Sequence, residues 1–331
     1  MPEVSSSAEA LILDTLAGMT IFFYGPNTYE LKRQVQQMAE AYVKKAGSGF
    51  GLERVDGLSV KPHELSSILQ ASPFLANSRL VIVDGLALNK AMTDKLAKLM
   101  ESVPSTTVAV FVDREVDQRT SVFKQLAKAD KVVKFDPLSG PKLLAWVRSE
   151  IEKLGGSVEP AVVRELVDVA GEDQWRLGGE VNKLVNYDST VTVKNVRAMV
   201  TSSVDQSIFD LVEAMTAGRT AAALAGFRTL LEQRQSEIYV LTMVQWQLRN
   251  LLLAKIAPPQ MSPSELAKAA GMSPYVAGKM ASAQGRMSEK SLRLAYGCAA
   301  DCEFDIKSGR LKAEVAVEQL IYAVATGVSA R

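Results

Sequence analysis

The chain has 331 residues, of which 47% are hydrophobic and 23% are charged, a composition typical of a folded globular protein. Its 38 Lys and Arg residues nearly balance its 37 Asp and Glu residues, so it lacks the basic excess common in non-specific nucleic-acid binders. A single histidine, His63, excludes most Ser/His, Cys/His and multi-histidine metal sites. The length predicts two or three compact units.

The two cysteines and the N-terminus favour a cytoplasmic protein without cofactor or metal. Cys298 and Cys302 stand four apart in a helical pattern, a spacing that strains a disulfide and supplies too few ligands for zinc. We therefore expect two free thiols. Residues 1–18 have no early Lys or Arg, so we expect a short extension rather than a signal peptide. The apolar runs are far shorter than the about 20 residues that a membrane helix needs.

Strands and helices alternate along the first part of the chain. Apolar runs predict strands at residues 21–24, 79–84 and 107–112, a further strand is predicted at 52–55, and an edge-like last strand is predicted at 131–135. Helical spacing of apolar residues predicts helices at 31–43, 61–69, 89–100 and 116–129. Near-continuous apolar strands are typical of a sheet that is covered on both faces. This pattern predicts an α/β domain with a mainly parallel sheet at residues 19–138.

Only helices are predicted after residue 139. The first group spans 141–154, 159–170, 173–187 and a short helix after Thr192, and forms a small helical lid at residues 139–204. The second group forms a bundle of five to seven helices at residues 205–331. Ser207 is predicted to cap its first helix. The later helices are predicted at 221–233, 236–256, 263–270, 274–284, 288–308 and 312–326.

An α/β domain followed by a helical lid is the layout of an AAA+ nucleotide-binding module, but the phosphate loop is missing. After the first strand the chain has Gly25-Pro26 and no lysine-hydroxyl pair at the offset that a P-loop requires. The strand that ends at Asp84 resembles a Walker B strand, yet Gly85 stands where the catalytic glutamate would be. The sequence therefore predicts an ATPase-like scaffold without ATP hydrolysis, in which Asp84 is structural.

Several segments, in order, carry a family resemblance over roughly residues 21–324. They are FFYGPNTYELKRQV, PFLANSRLVIVDGL, TTVAVFVDRE, KVVKFDPLSGPKLLAWVRSEIEKLGGSVEP, IFDLVEAMTAGRTAAAL, VQWQLRNLLLAKI and DIKSGRLKAEVAVEQLI. Their order and spacing resemble the delta subunit family of bacterial DNA polymerase III. The resemblance implies an AAA+-like domain, a lid and an all-α collar that assembles with gamma/tau-type ATPase subunits and a delta-prime subunit. It also implies binding and opening of the beta sliding clamp for loading onto primed DNA.

The resemblance places the clamp contact on Pro73, Phe74 and Leu75, between the predicted helix 61–69 and strand 79–84. A Phe-Leu pair in a proline-containing connection either folds back onto the core or forms an exposed anchor, and the residues alone leave both open. As an anchor in an apolar pocket, each side chain would contribute roughly 1.5–3 kcal/mol. The resemblance favours the anchor.

Other interpretations remain open at this stage. A delta-prime-like subunit typically carries a zinc-binding cysteine cluster and a Ser-Arg-Cys motif, whereas this chain has only two cysteines near its end. A divergent nucleotide-binding enzyme would need the absent phosphate loop, and a helical adapter would leave the ordered strand motifs unexplained. Some family members touch DNA through an aromatic residue of the collar. Phe304 and Tyr322 do not match that position clearly and are equally compatible with the bundle core.

Overall fold

The computed structural model describes residues 18–74, 76–114, 116–283, 285 and 287–327. Two compact units are present, the first ending at Pro137 and the second beginning at Leu138. The predicted N-terminal extension lies outside the described residues except for Gly18. The finer division of the second unit into a lid and a collar at residue 204 stays a prediction.

The first unit contains a parallel five-stranded sheet with the order β2-β3-β4-β1-β5. The strands are β1 (Thr20–Tyr24), β2 (Leu52–Asp56), β3 (Arg79–Asp84), β4 (Thr107–Asp113) and β5 (Lys131–Lys134). In register, Ile21 of β1 lies beside Val110 of β4 on one side and Lys131 of β5 on the other. All five predicted strands are confirmed, with ends that agree within one residue.

Helices cover both faces of this sheet. They are α1 (Thr28–Ala46), α2 (Pro62–Gln70), α3 (Leu96–Glu101) and α4 (Ser121–Leu126). Alternate residues of each strand point to opposite faces, so Ile21 and Phe23 pack with α1 while Phe22 packs with the other three helices. Phe22 and Phe111 are fully buried. Burial on both faces explains why β1, β3 and β4 read as continuous apolar runs, whereas the outer strands β2 and β5 are more exposed.

The helix predicted at residues 89–100 is wrong in its first half. Two short 3-10 turns, Leu86–Leu88 and Lys90–Met92, precede α3 instead. The cause is Asn89, which is 7% exposed and donates from its side chain to Gly57 O at 2.8 Å and Val60 O at 2.9 Å. Because Asn89 also accepts a bond from the Ala91 amide, its local bonds replace those of a helix.

The helix predicted at residues 116–129 is also too long. Asp117 accepts a hydrogen bond from the Arg119 amide at 3.0 Å, which forms a turn before the helix. Thr120 then caps α4 by accepting from the Phe123 amide at 3.2 Å. Side chains that bond to nearby backbone therefore delay the start of the helix.

Where the structure describes it, the second unit is helical apart from one pair of short parallel strands, which the sequence did not predict. The strands are β6 (Ser157–Val158) and β7 (Thr190–Val191). The first helices are α5 (Gly140–Lys153), α6 (Pro160–Ala170), α7 (Gln174–Tyr187) and α8 (Val193–Met199). The remaining helices are α9 (Val204–Thr216), α10 (Thr220–Glu232), α11 (Glu237–Ile256), α12 (Pro263–Ala270), α13 (Pro274–Ala283), α14 (Glu289–Lys307) and α15 (Ala313–Thr326).

In the bundle, the cap of helix α9 differs from the predicted one, and two aromatic residues that could have belonged to the core are exposed. Helix α9 is capped by Ser203, whose hydroxyl accepts from the Gln206 amide at 3.1 Å, so the cap predicted at Ser207 is wrong and that residue lies inside the first turns of the helix. Phe304 and Tyr322 are 55% and 58% exposed, so neither belongs to the bundle core. The core is built by residues such as Phe227 instead, which is completely buried.

Candidate functional site

The connection between α2 and β3 carries the predicted contact residues. We define the tip as residues 71–77, with the sequence ASPFLAN, which contains no charged side chain. Phe74 is 73% exposed, the largest exposed fraction among the large hydrophobic residues of the described part of the chain. Pro73 is partly buried, and Leu75 lies outside the described residues. Phe74 therefore does not fold back onto the core.

The helix that leads into the tip is fixed by its apolar side and by one arginine. Leu65 and Leu69 of α2 are fully buried in the core of the first unit. At the end of α2, the Arg79 guanidinium donates from Nη1 to Ile68 O and, at 3.1 Å, to Ala71 O. The last carbonyl groups of a helix have no partner within the helix, so a cation there is favourable.

The strand that leaves the tip is fixed from the other side. The Tyr42 hydroxyl donates to Ser78 O at 2.7 Å and to Phe50 O at 2.9 Å. Burial raises the pKa of Tyr42, and the nearby Arg79 charge acts in the opposite direction. The Arg79 amide donates to Thr106 O at 2.8 Å. Both stems of the tip are thus bonded to the body of the first unit, while Phe74 points into solvent.

The loop after β1 occupies the position of a P-loop. It lies at the carboxyl ends of the strands, which is the edge of the sheet opposite the tip. The Gly25 amide donates to Asp113 O at 3.1 Å, and the Asn27 amide donates to Phe135 O at 3.1 Å. The Asn27 side chain accepts from the Glu30 amide at 3.1 Å and so caps α1. Amide groups that would point at phosphate in a P-loop are therefore bonded within the chain. Gly25 has φ +132°, and a Cβ there would collide with Phe135 O.

Two carboxylates end strands at this same edge, and they differ in environment. Asp84 is exposed and pairs with Arg114 at 2.9 Å. Asp113 is 1% exposed and accepts from the Ala87 amide at 3.0 and 3.2 Å. Burial raises the pKa of Asp113 to about 7, and the Asp84 charge adds to this effect. Asp113 thus holds the turn that follows β3, which is a structural role.

Among the described residues, no group of three or more His, Cys, Asp or Glu side chains is arranged to hold a metal ion. No helix in the described ranges is long and apolar enough to cross a membrane. Cys298 and Cys302 are free thiols, as predicted. His63 is exposed in the first turn of α2.

Comparison with known proteins identifies the family. The family model described as DNA polymerase III, delta subunit matches residues 22–136, and the model of the C-terminal domain of the delta subunit matches residues 205–324. The chain belongs to the DNA polymerase III delta subunit family. Members of this family are components of the clamp loader in DNA replication.

A sequence comparison and a structure comparison extend the delta subunit match to nearly the full chain. DNA polymerase III subunit delta from Bacillus subtilis (strain 168) is 22% identical in an alignment of 311 residues that covers 89% of this chain and 89% of that chain. The solved structure of the Bacillus subtilis DNA clamp loader delta protein aligns with a TM-score of 0.64 at 20% identity, over 93% of this chain and 95% of that chain. The shared fold confirms the α/β domain with a parallel sheet followed by helices that the sequence predicted.

Sequence reasoning located the tip of this delta family member but missed the residues that hold it. Tyr42 reads as one apolar position of α1, and Arg79 reads as a charged residue at the start of a strand. No sequence motif marks either position, because both side chains bond mainly to backbone carbonyl groups, which leave no pattern in the sequence. The short distance in sequence between Arg79 and the tip was the one available signal.

Proposed function

We propose that this delta subunit family member binds the beta sliding clamp through its tip, with Phe74 and Leu75 as the apolar anchor and Pro73 shaping the loop. The observation that carries the proposal is the exposure of Phe74 on a connection whose two stems are bonded to the body of the first unit. A large aromatic side chain is costly to leave in water, and a neutral loop loses little solvation on entering an apolar pocket.

The proposed contact is strong enough to bind and weak enough to release. Burying the Phe74 side chain contributes roughly 1.5–3 kcal/mol, which corresponds to about a 10- to 150-fold change in affinity. If the tip binds an open-competent form of the ring better than the closed form, it shifts the clamp toward opening by that difference in affinity. The subunit promotes opening by binding, and we assign it no ATP hydrolysis, which agrees with the engaged amide groups at Gly25 and Asn27.

The second unit is proposed to assemble the loader in the cytoplasm. The C-terminal family model matches residues 205–324, which contain the helices from α9 to most of α15. We propose that this collar joins gamma/tau-type ATPase subunits and a delta-prime subunit, and that primed DNA lies within the assembled complex. A delta-prime role is disfavoured because the chain has only two cysteines, both in α14.

Binding of the purified protein to the beta clamp from the same source tests the proposal. The variant Phe74→Ala/Leu75→Ala is expected to reduce affinity at least 100-fold, because it removes two anchors of the size given above. Phe50→Ala is the matched control, since Phe50 is a 58% exposed phenylalanine of the same unit outside the tip. Circular dichroism checks that both variants are folded.

The outcomes separate clearly. Wild-type binding that is lost in the tip variant and kept in Phe50→Ala supports the proposal. Absence of wild-type binding at micromolar concentrations would contradict it and direct attention to an adapter role of the helical unit. Equal losses in both variants would show that a general loss of exposed apolar surface, and not the tip, explains the binding.

A further inference from the structure

We infer that Arg79, together with Glu53, is a positioning residue for clamp binding: it holds the tip in the conformation in which Phe74 can insert. This inference rests on the proposed function. Arg79 itself is only 7% exposed and lies behind the tip, so it does not form part of the binding surface. Its effect on the clamp is exerted through Phe74.

The Arg79 side chain connects the sheet with the end of the preceding helix. Its Nη1 donates to Ile68 O and Ala71 O, which lie in the last turn of α2 and at the first tip residue. Its Nη2 forms an ion pair with Glu53 of the neighbouring strand β2. Its main chain belongs to β3, the stem that leaves the tip. One residue therefore links both stems of the tip and a third element.

The chemistry of this link requires arginine. The guanidinium group is planar and presents several donors in a fixed fork, so it can bond two carbonyl groups and a carboxylate at once. A lysine offers a single point charge on a flexible chain and cannot reproduce that pattern. The charge is stabilised by Glu53 on one side and by the carbonyl end of α2 on the other.

Positioning of this kind has a kinetic signature. If the tip adopts its binding conformation only part of the time, the apparent affinity falls by the fraction of time spent in that conformation. The rate of association then decreases, while dissociation of the bound complex changes little. We expect Arg79→Met to weaken clamp binding at least tenfold, chiefly through slower association. We expect Arg79→Lys to lie between this variant and wild type.

A double-mutant cycle tests whether Arg79 acts through Phe74. Phe74→Ala removes the aromatic anchor that Arg79 is inferred to position, so Arg79→Met is introduced into this background and into wild type. Residues that act through one contact show non-additive effects, whereas independent sites are additive. Arg79→Met should therefore reduce the affinity clearly less in the Phe74→Ala background, where no aromatic side chain is left to position. Arg114→Met is the matched control, because it breaks an exposed ion pair with Asp84 at the opposite edge of the sheet.

Amide hydrogen exchange adds a readout that does not depend on the clamp. Arg79→Met should speed exchange at residues 68–72 while leaving strand β4 protected. If that variant does not fold, Glu53→Gln provides a milder change with the same expected direction. The change is milder because the side-chain amide keeps an oxygen that can accept from Arg79, and position 53 is partly exposed.

The results distinguish the inference from the proposed function. Wild-type binding, a loss of affinity in Phe74→Ala and a smaller effect of Arg79→Met in that background support both. Equal effects of Arg79→Met in both backgrounds, or no effect on association, overturn the inference and leave the proposed function standing. No binding by the wild-type protein overturns both.

Discussion

The buried carboxyl group of Asp113 leads to a specific prediction about stability and pH. Asp113 is 1% exposed, and its ionised form accepts a hydrogen bond from the Ala87 amide. Burial raises its pKa from 3.8 to about 7. The folded state therefore binds this proton more tightly than the unfolded state between those two values. The free energy of unfolding should rise as pH falls from about 7 towards 4, and the full cost of the buried charge is present above pH 7.

The magnitude follows from the same two pKa values. At about 1.4 kcal/mol per pH unit, an interval from 3.8 to about 7 corresponds to at most about 4 kcal/mol. Asp113→Asn keeps an oxygen that can accept from Ala87 and removes the charge. Any pH-independent cost of the new amide group cancels when the difference in unfolding free energy between variant and wild type is compared at two pH values. Relative to wild type, the variant should therefore become more stable by up to about 4 kcal/mol between pH 4 and pH 8.

The assay must report the first unit alone. All three tryptophans, Trp146, Trp175 and Trp246, lie in the second unit, so their fluorescence serves as an internal control. Amide hydrogen exchange of strand β4 at several pH values, corrected for intrinsic exchange rates, gives the opening free energy of the first unit. Parallel pH profiles for wild type and Asp113→Asn would refute the reasoning, because they would show that this carboxyl group has the same pKa folded and unfolded.

Two further predictions concern the opposite ends of the chain. Gly25→Ala should destabilise the first unit by at least about 2 kcal/mol, because φ is +132° and the new Cβ would meet Phe135 O. A loss of stability under about 0.5 kcal/mol in the same hydrogen-exchange experiment would contradict this prediction. Burial, together with Asp305 and Glu303, raises the pKa of Cys302 to about 12. Iodoacetamide at pH 8 should therefore label Cys298 well before Cys302, and equal rates by mass spectrometry would show that the burial argument is wrong.

The sheet was predictable because its signal is local. The three central strands β1, β3 and β4 are short apolar runs, and such a run can be recognised without reference to distant residues. The break before α3 was not predictable in this way. Asn89 bonds to Gly57 and Val60, which are about 30 residues earlier, and apolar spacing does not report such contacts. The cap at Ser203 was missed because two serines, Ser203 and Ser207, offer the same local chemistry.

The candidate site was predictable in position and not in conformation. Pro73 and the break in apolar periodicity marked a connection, but the same pattern suits a loop that covers the core. The exposure of Phe74 depends on how α2 ends, and that end depends on Arg79. Because the acceptors are backbone carbonyl groups, which every residue possesses, no sequence pattern marks the partners of this arginine.

Arg79 holds the end of α2 through backbone carbonyl groups, so the sequence of the tip can change without loss of this attachment. The guanidinium contacts carbonyl oxygens of Ile68 and Ala71, so its bonds do not depend on which side chains those positions carry. Residues 72–77 can therefore be exchanged, in nature or by design, while the loop keeps its attachment. The first unit would then serve as a scaffold that displays short apolar sequences, and a library at these positions could select binders for rings of other origin.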